Sequence, residues 1–109
     1  MKRFSLVLDL KNDSKLIEEY EKYHKNVWPE ILESIKSSGI IDMQIYRFQD
    51  RLFMIMDTED DFSIELKSKN DANNAKVQEW EELMWKYQKA LPGSKPGEKW
   101  QFAKLIFQL

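Results

Sequence analysis

The sequence contains no cysteine and only one histidine, His24, among its 109 residues. Without thiols the chain can form no disulfide bond or thiolate metal site, and it has no cysteine nucleophile. One imidazole is too few for a cluster of histidine metal ligands. The three glycines do not form a phosphate-binding loop. We therefore expect no metal site, and His24 is the first candidate for acid–base chemistry near neutral pH.

The chain also lacks a strong excess of charge and any long apolar run. Lysines and arginines number 17 against 19 acidic residues, a net charge of -2, so we expect no nucleic-acid and no membrane partner. No segment approaches the roughly 18 apolar residues of a membrane span, and the short N-terminal apolar stretch does not resemble a signal peptide. We expect a cytoplasmic protein in which residues 1–109 form a single domain.

The first half of the chain shows strand periodicity followed by helix periodicity. Apolar residues at every second position predict a strand over residues 3–10. A cap at residues 12–14 then begins a helix that reaches about Ser37. Pro29 has no amide hydrogen and disfavours helix at Trp28, so we expect a break there, with Pro29 opening a second helical piece. Gly39 is placed to end it.

The second half of the chain begins with two predicted strands, which helices and a last strand follow. Alternation predicts strands over residues 41–46 and 52–56, joined by a turn at Gln49 and Asp50. A short helical stretch over residues 62–68 and a longer helix from about Asp71 to Ala90 follow. The loop over residues 92–99 contains two prolines and two glycines, and we expect residues 100–109 to form the last strand.

This order predicts a ferredoxin-like α+β fold, βαββαβ, in which the helices cover one face of an antiparallel sheet. The predicted strand over residues 52–56 is apolar on both sides, because Phe53 and Ile55 alternate with leucine and methionine. Two helices can cover only one face, and a large bare apolar face is rare on a monomer. We therefore expect a homodimer.

His24 admits a structural and a functional interpretation. It follows Tyr20 by four residues on the apolar face of the first predicted helix, so both polar tips point toward the sheet. A buried histidine whose partner is a backbone carbonyl accounts for this pattern. An imidazole among aromatic neighbours also suits acid–base work on a polar ligand. The tryptophans also admit two interpretations, since an aromatic stripe on a helix can form part of the core or stack on a sugar ring.

Residues 19–30 carry the pattern EY…H…WPE after an opening strand, and this block resembles the L-rhamnose mutarotase family of sugar isomerases. The resemblance extends with weaker matches over nearly the whole chain. It implies a dimeric ferredoxin-like α+β barrel that needs no cofactor, and a small monosaccharide as ligand. It also implies that His24 is the proton donor and that Tyr20 contacts the substrate. We predict both as catalytic residues, with Tyr20 as hydrogen-bonding partner or proton shuttle and a water or a second group at the anomeric hydroxyl.

Two positions depart from the family pattern. The family has a tyrosine at the start of the second strand, where this chain has Met43, and two adjacent tryptophans on the second helix, where it has Trp80 and Glu81. With Trp28, these residues are the predicted wall of the sugar site. A carboxylate in place of an indole can accept hydrogen bonds from hydroxyl groups, which changes the configuration that the pocket favours.

We therefore predict an isomerase that interconverts the α and β anomers of a 6-deoxy-hexose by acid–base ring opening and closure, with L-rhamnose as the first candidate. L-fucose is the alternative within the same family. Two further alternatives are a dimeric α+β barrel oxygenase or haem-binding protein, with His24 as axial ligand, and a non-catalytic ligand-binding module.

Overall fold

A computed structural model describes all residues, 1–109, and contains one five-stranded sheet and four helices. The elements in chain order are β1 (Lys2–Leu10), α1 (Ser14–Lys25), α2 (Pro29–Ser37), β2 (Ile40–Phe48), β3 (Arg51–Thr58), α3 (Ile64–Ala72), α4 (Ala75–Trp85), β4 (Gln88–Lys89) and β5 (Gln101–Phe102). None of the four helices has the length and hydropathy of a membrane span.

The sheet has the strand order expected of a ferredoxin-like fold. β1 is central and pairs antiparallel with β3, whose other neighbour is β2. On its other edge β1 pairs with both β4 and β5, two short strands that share the place of one longer strand. The predicted α+β fold class is therefore confirmed, with the fourth strand position divided in two.

The break between the first two helices is where Pro29 predicts it. The side chain of Asp13 begins α1 by accepting hydrogen bonds from the amides of Lys15 and Leu16, at 2.9 and 3.1 Å. α1 ends at Lys25, and Pro29 is the first residue of α2. α2 is followed by Gly39, whose φ of 95° lies in the left-handed region that favours glycine.

The predicted long helix over residues 71–90 is wrong at both ends. The segment forms the end of α3, a break capped by Asn74, and then α4, which stops at Trp85. Its last turn is tightened, because the amide of Tyr87 donates to the carbonyl of Met84 at 2.9 Å. Gln88 and Lys89 then join the free edge of β1. Long-range strand pairing thus overrides a helical pattern that has no local stop signal.

The predicted last strand over residues 100–109 is mostly wrong as well. Only Gln101 and Phe102 pair with β1, and the amide of Ala103 makes one more hydrogen bond to Ser5. The remaining segment, the C-terminal tail of residues 103–109, is outside the sheet. It exposes large apolar side chains, with Leu105 71% and Ile106 88% exposed. The tail has no regular secondary structure, and a single copy of the chain leaves all seven of its residues exposed.

The two faces of the sheet differ. Alternate residues of β1 and β3 face the helices and are buried there, and they form the sheet side of the core: Leu6, Leu8, Leu10, Leu52, Met54 and Met56. The opposite face, which we call the open face, carries Val7, Phe53, Ile55, Tyr46 and Phe48. Phe53 is 39% exposed and Phe48 69% exposed. The helices therefore cover only one side of the sheet, as predicted.

Candidate active site

A cavity of about 770 Å³ lies between the helices and the sheet. Its lining is mostly apolar, and it brings together five of the six predicted site residues: Tyr20, His24, Met43, Trp80 and Glu81. They come from α1, β2 and α4, so the cavity depends on the packing of both helices against the strands. An apolar cavity with a few convergent polar groups is the usual form of a small-molecule site.

His24 has the backbone-carbonyl partner of the structural interpretation and also lines the cavity. Its Nδ1 lies 2.8 Å from the backbone carbonyl oxygen of Tyr20, one helical turn earlier. A carbonyl oxygen only accepts, so Nδ1 carries the proton and the neutral ring has its lone pair on Nε2. Nε2 has no hydrogen-bond partner in the chain, and the ring lines the cavity. Burial lowers the pKa of His24, which the carbonyl contact partly opposes, so the neutral form predominates at pH 7.

Tyr20 is held against this imidazole. Its ring centroid lies 4.3 Å from that of His24, and the side chain is buried with 3% exposure. Burial raises its pKa to about 12, so the phenol keeps its proton throughout the neutral range. The hydroxyl oxygen accepts a long hydrogen bond, 3.4 Å, from Nε2 of Gln88. Its own O–H is therefore available as a donor beside His24.

Trp80 forms the aromatic wall of the site. Its indole contacts His24 edge to face, with centroids 5.8 Å apart and planes at 66°. Trp28 packs on the indole of Trp80, with centroids 5.0 Å apart, but does not line the cavity. Among the predicted wall residues, Trp28 is thus placed behind Trp80, where it fixes the indole rather than facing the cavity.

Glu81 is positioned by a lysine from the loop before β5. Nζ of Lys99 lies 2.7 Å from Oε2 of Glu81 and also donates to the Glu81 carbonyl at 2.7 Å. The same ammonium group lies over the ring of Trp85, 4.7 Å from its centroid. The Lys99 side chain is only 11% exposed, and its burial lowers its pKa against the opposing effect of Glu81. One carboxylate oxygen of Glu81 is thus engaged and the other, Oε1, has no partner in the chain.

Sequence reasoning missed several polar residues of the cavity, and two of them, Gln88 and Lys99, contact predicted site residues. Gln88 lies in a segment whose periodicity predicts helix, and its place in the sheet depends on pairing with distant Leu10. Lys99 lies in a loop whose only sequence signal is its proline and glycine content. No local pattern in the sequence could have assigned either residue to the site.

A family model described as L-rhamnose mutarotase matches residues 3–109. A protein of Xanthomonas campestris pv. campestris named L-fucose mutarotase is 47% identical over 111 residues, which covers 100% of this chain and 89% of that protein.

Two solved structures share the fold. An L-rhamnose mutarotase of Formosa agariphila matches with a TM-score of 0.74 and 21% identity, over 100% of this chain and 99% of that chain. A dimeric ferredoxin-like protein of an uncultured marine organism matches with a TM-score of 0.60 and 17% identity, over 98% and 96%.

Proposed function

This chain belongs to the L-rhamnose mutarotase family and is a sugar mutarotase, and we propose that its substrate is a 6-deoxy-hexose whose anomers it interconverts in the cavity beside His24. The observation that carries the assignment of the site is the arrangement of His24 and Tyr20. One side chain offers an unprotonated nitrogen and the other a protonated hydroxyl, within a single apolar cavity.

Interconversion of anomers requires a proton to leave the anomeric hydroxyl and a proton to reach the ring oxygen. In the proposed mechanism, Nε2 of His24 takes the proton from the anomeric hydroxyl. The imidazolium then donates the proton to the ring oxygen. This oxygen and the anomeric hydroxyl oxygen are bonded to the same carbon, the anomeric carbon. The bond between the anomeric carbon and the ring oxygen breaks, and an aldehyde forms. Rotation about the next carbon–carbon bond, followed by the reverse proton transfers, closes the other anomer.

Tyr20 supports this transfer as a hydrogen-bond donor. With a pKa of about 12, its phenol is a weak acid that stays protonated and can donate a hydrogen bond to the ring oxygen while charge develops there. The reaction changes no oxidation state, so it demands no electron carrier. In this proposal His24 transfers the proton and Tyr20 is its hydrogen-bonding partner, and general acid–base help of this kind typically contributes about 10²–10⁴-fold to the rate.

The wall of the cavity suits a sugar with one apolar edge. The indole of Trp80 and the thioether of Met43 offer apolar surface to the C–H face and methyl group of a 6-deoxy sugar. The carboxylate of Glu81 offers an acceptor to its hydroxyl groups. L-rhamnose is the sugar that the sequence predicts first. The relative named L-fucose mutarotase, at 47% identity over the whole chain, favours L-fucose, and we propose L-fucose as the first sugar to test.

We further propose that the working unit is a homodimer formed through the open face. Its centre is apolar, and two ion pairs flank it, Arg3 with Asp57 at 2.7 Å and Arg51 with Asp9 at 2.8 Å. A patch with an apolar centre and a polar rim is typical of a protein interface. The exposed C-terminal tail supplies further apolar surface that a second copy can bury.

Exchange NMR tests the proposed function. The protein is added in catalytic amount to L-fucose and to L-rhamnose, and magnetisation transfer between the two anomeric protons is measured. We expect faster exchange than in buffer for at least one of the sugars. Exchange at the buffer rate for both sugars contradicts the proposal.

A further inference from the structure

A buried carboxamide stands beside Tyr20 in the cavity. Gln88 is 5% exposed and pairs with Leu10 in the sheet. Paired residues of antiparallel strands project on the same side, so the Gln88 side chain points with that of Leu10 toward the helices. There it lines the cavity, next to the phenol of Tyr20.

The two ends of this carboxamide have different surroundings. Nε2 of Gln88 donates to the hydroxyl oxygen of Tyr20, whereas Oε1 has no hydrogen-bond donor. Oε1 is the only buried side-chain nitrogen or oxygen in the chain without a partner. A buried acceptor without a donor is costly for folding, and an apolar side chain of the same shape avoids this cost. Folding alone therefore does not account for glutamine at this position.

We propose that Gln88 is a substrate-binding residue whose Oε1 accepts a hydrogen bond from one ring hydroxyl of the sugar. This inference rests on the proposed function of the same cavity. Nε2 of Gln88 occupies a lone pair of the Tyr20 oxygen, so the phenolic proton is directed away from the amide. Gln88 thus has two roles: its Oε1 binds a sugar hydroxyl, and its Nε2 orients the Tyr20 hydroxyl beside His24.

An acceptor fixed in this way distinguishes sugars that differ only in hydroxyl configuration. L-fucose and L-rhamnose share the methyl group and differ in configuration at C2 and C4. A sugar that fails to present a hydroxyl to Oε1 leaves that oxygen buried and unpaired, which is the arrangement by which polar sites reject close analogues. Gln88 therefore acts as a determinant of sugar specificity.

The test replaces Gln88 with methionine, which has a similar length and shape but no amide. Gln78→Met, at an exposed position of α4, is the matched control. Titration calorimetry measures the Kd of each protein for L-fucose, L-rhamnose and the monodeoxy derivatives of the preferred sugar. Exchange NMR measures the catalysed rates, and thermal melts followed by circular dichroism give Tm.

We expect Gln88→Met to bind the preferred sugar about tenfold more weakly, with an equal or higher Tm. One monodeoxy sugar should bind the wild type about tenfold more weakly than its parent. Gln88→Met should bind that derivative and the parent equally. The Gln78→Met control should match the wild type in sugar affinity and exchange rate, and its Tm should change only by the loss of one exposed hydrogen bond to the carbonyl of Asp71.

Three results overturn the inference. The first is unchanged affinity of Gln88→Met for every sugar. The second is a lower Tm with an equal loss of affinity for all monodeoxy sugars, which indicates a structural role. The third is the absence of sugar binding by the wild type. A wild type that binds sugar with hydroxyl-specific dependence on Gln88, but does not accelerate anomer exchange, refutes the mutarotase mechanism and leaves the role of Gln88 in binding intact.

Discussion

Nδ1 of His24 donates its proton to the carbonyl oxygen of Tyr20 at 2.8 Å, and this single contact fixes the chemistry that the ring can offer. It determines the tautomer, so the neutral imidazole turns its lone pair at Nε2 to the cavity. It also ties the ring to the helix turn that carries the Tyr20 side chain. The proposed proton acceptor and the proposed hydrogen-bond donor are therefore positioned by the same element.

The rate should depend on pH through His24. Burial holds its pKa below the ordinary value of 6.5, and only the neutral ring can take the anomeric proton. We expect kcat/KM for L-fucose to reach a plateau on the alkaline side of its midpoint and to fall at lower pH, with that midpoint below pH 6.5. Exchange NMR across a pH series measures this. A midpoint above 6.5 contradicts the neutral starting form.

The same shift in pKa should affect folding stability. His24 has its ordinary pKa of 6.5 in the unfolded chain, whereas its pKa in the folded chain is lower. This contribution to the free energy of unfolding is therefore complete above pH 6.5 and is lost as the pH falls through 6.5 toward the folded-state pKa. Urea titrations of the wild type and His24→Asn at a series of pH values measure the difference. Parallel pH dependences of the two proteins would show that His24 contributes nothing.

Removal of the Tyr20 hydroxyl should slow the reaction without unfolding the chain. We expect Tyr20→Phe to lower kcat about 10²-fold, because the ring oxygen loses a donor. Tyr23→Phe is the matched control, since Tyr23 lies on the same helix but does not line the cavity. Exchange NMR gives the rates. Equal rates for Tyr20→Phe and Tyr23→Phe would remove Tyr20 from the mechanism.

Glu81 should influence the choice of sugar. We expect Glu81→Gln to change the ratio of kcat/KM for L-fucose to that for L-rhamnose about tenfold, since a hydrogen bond to a charged group is stronger than one to a neutral group. Glu79→Gln, at an exposed position of the same helix, should leave the ratio unchanged. A ratio that is the same in both variants shows that Glu81 does not face the discriminating hydroxyl.

The open face should hold two copies together. Light scattering at micromolar concentration should give the mass of a dimer for the wild type and of a monomer for Phe53→Lys, because the substitution places a charge at the apolar centre. Leu66→Lys, at an exposed apolar position of α3, should remain dimeric. A monomeric wild type, or a dimeric Phe53→Lys protein, contradicts the proposed interface.

The parts of the molecule that follow local rules were predictable from the sequence. The break before Pro29 follows from the proline ring and its missing amide hydrogen. The contact between Tyr20 and His24 follows from a spacing of four residues on one helix. Strand alternation predicts both faces of the sheet, including the open face around Phe53.

The parts that depend on distant segments were not predictable. Gln88 enters the sheet only because β1 has a free edge near Leu10, although its own surroundings in the sequence favour helix. The hydrogen bond from Lys99 to Glu81 connects a loop with a helix, and the two residues are 18 positions apart in the sequence. The C-terminal tail is apolar enough to predict a strand, but its residues lie beyond the end of β5 and are exposed.

The central claim is that Nε2 of His24 carries the proton between the two oxygens of the anomeric carbon. His24→Asn tests it most directly, because the asparagine amide can keep the hydrogen bond to the Tyr20 carbonyl while nothing replaces Nε2. Anomer exchange of L-fucose and L-rhamnose is measured for both proteins, with circular dichroism to confirm the fold. The account predicts a folded variant whose catalysed exchange is at least about 10²-fold slower. A folded variant within a few fold of the wild-type rate would contradict it.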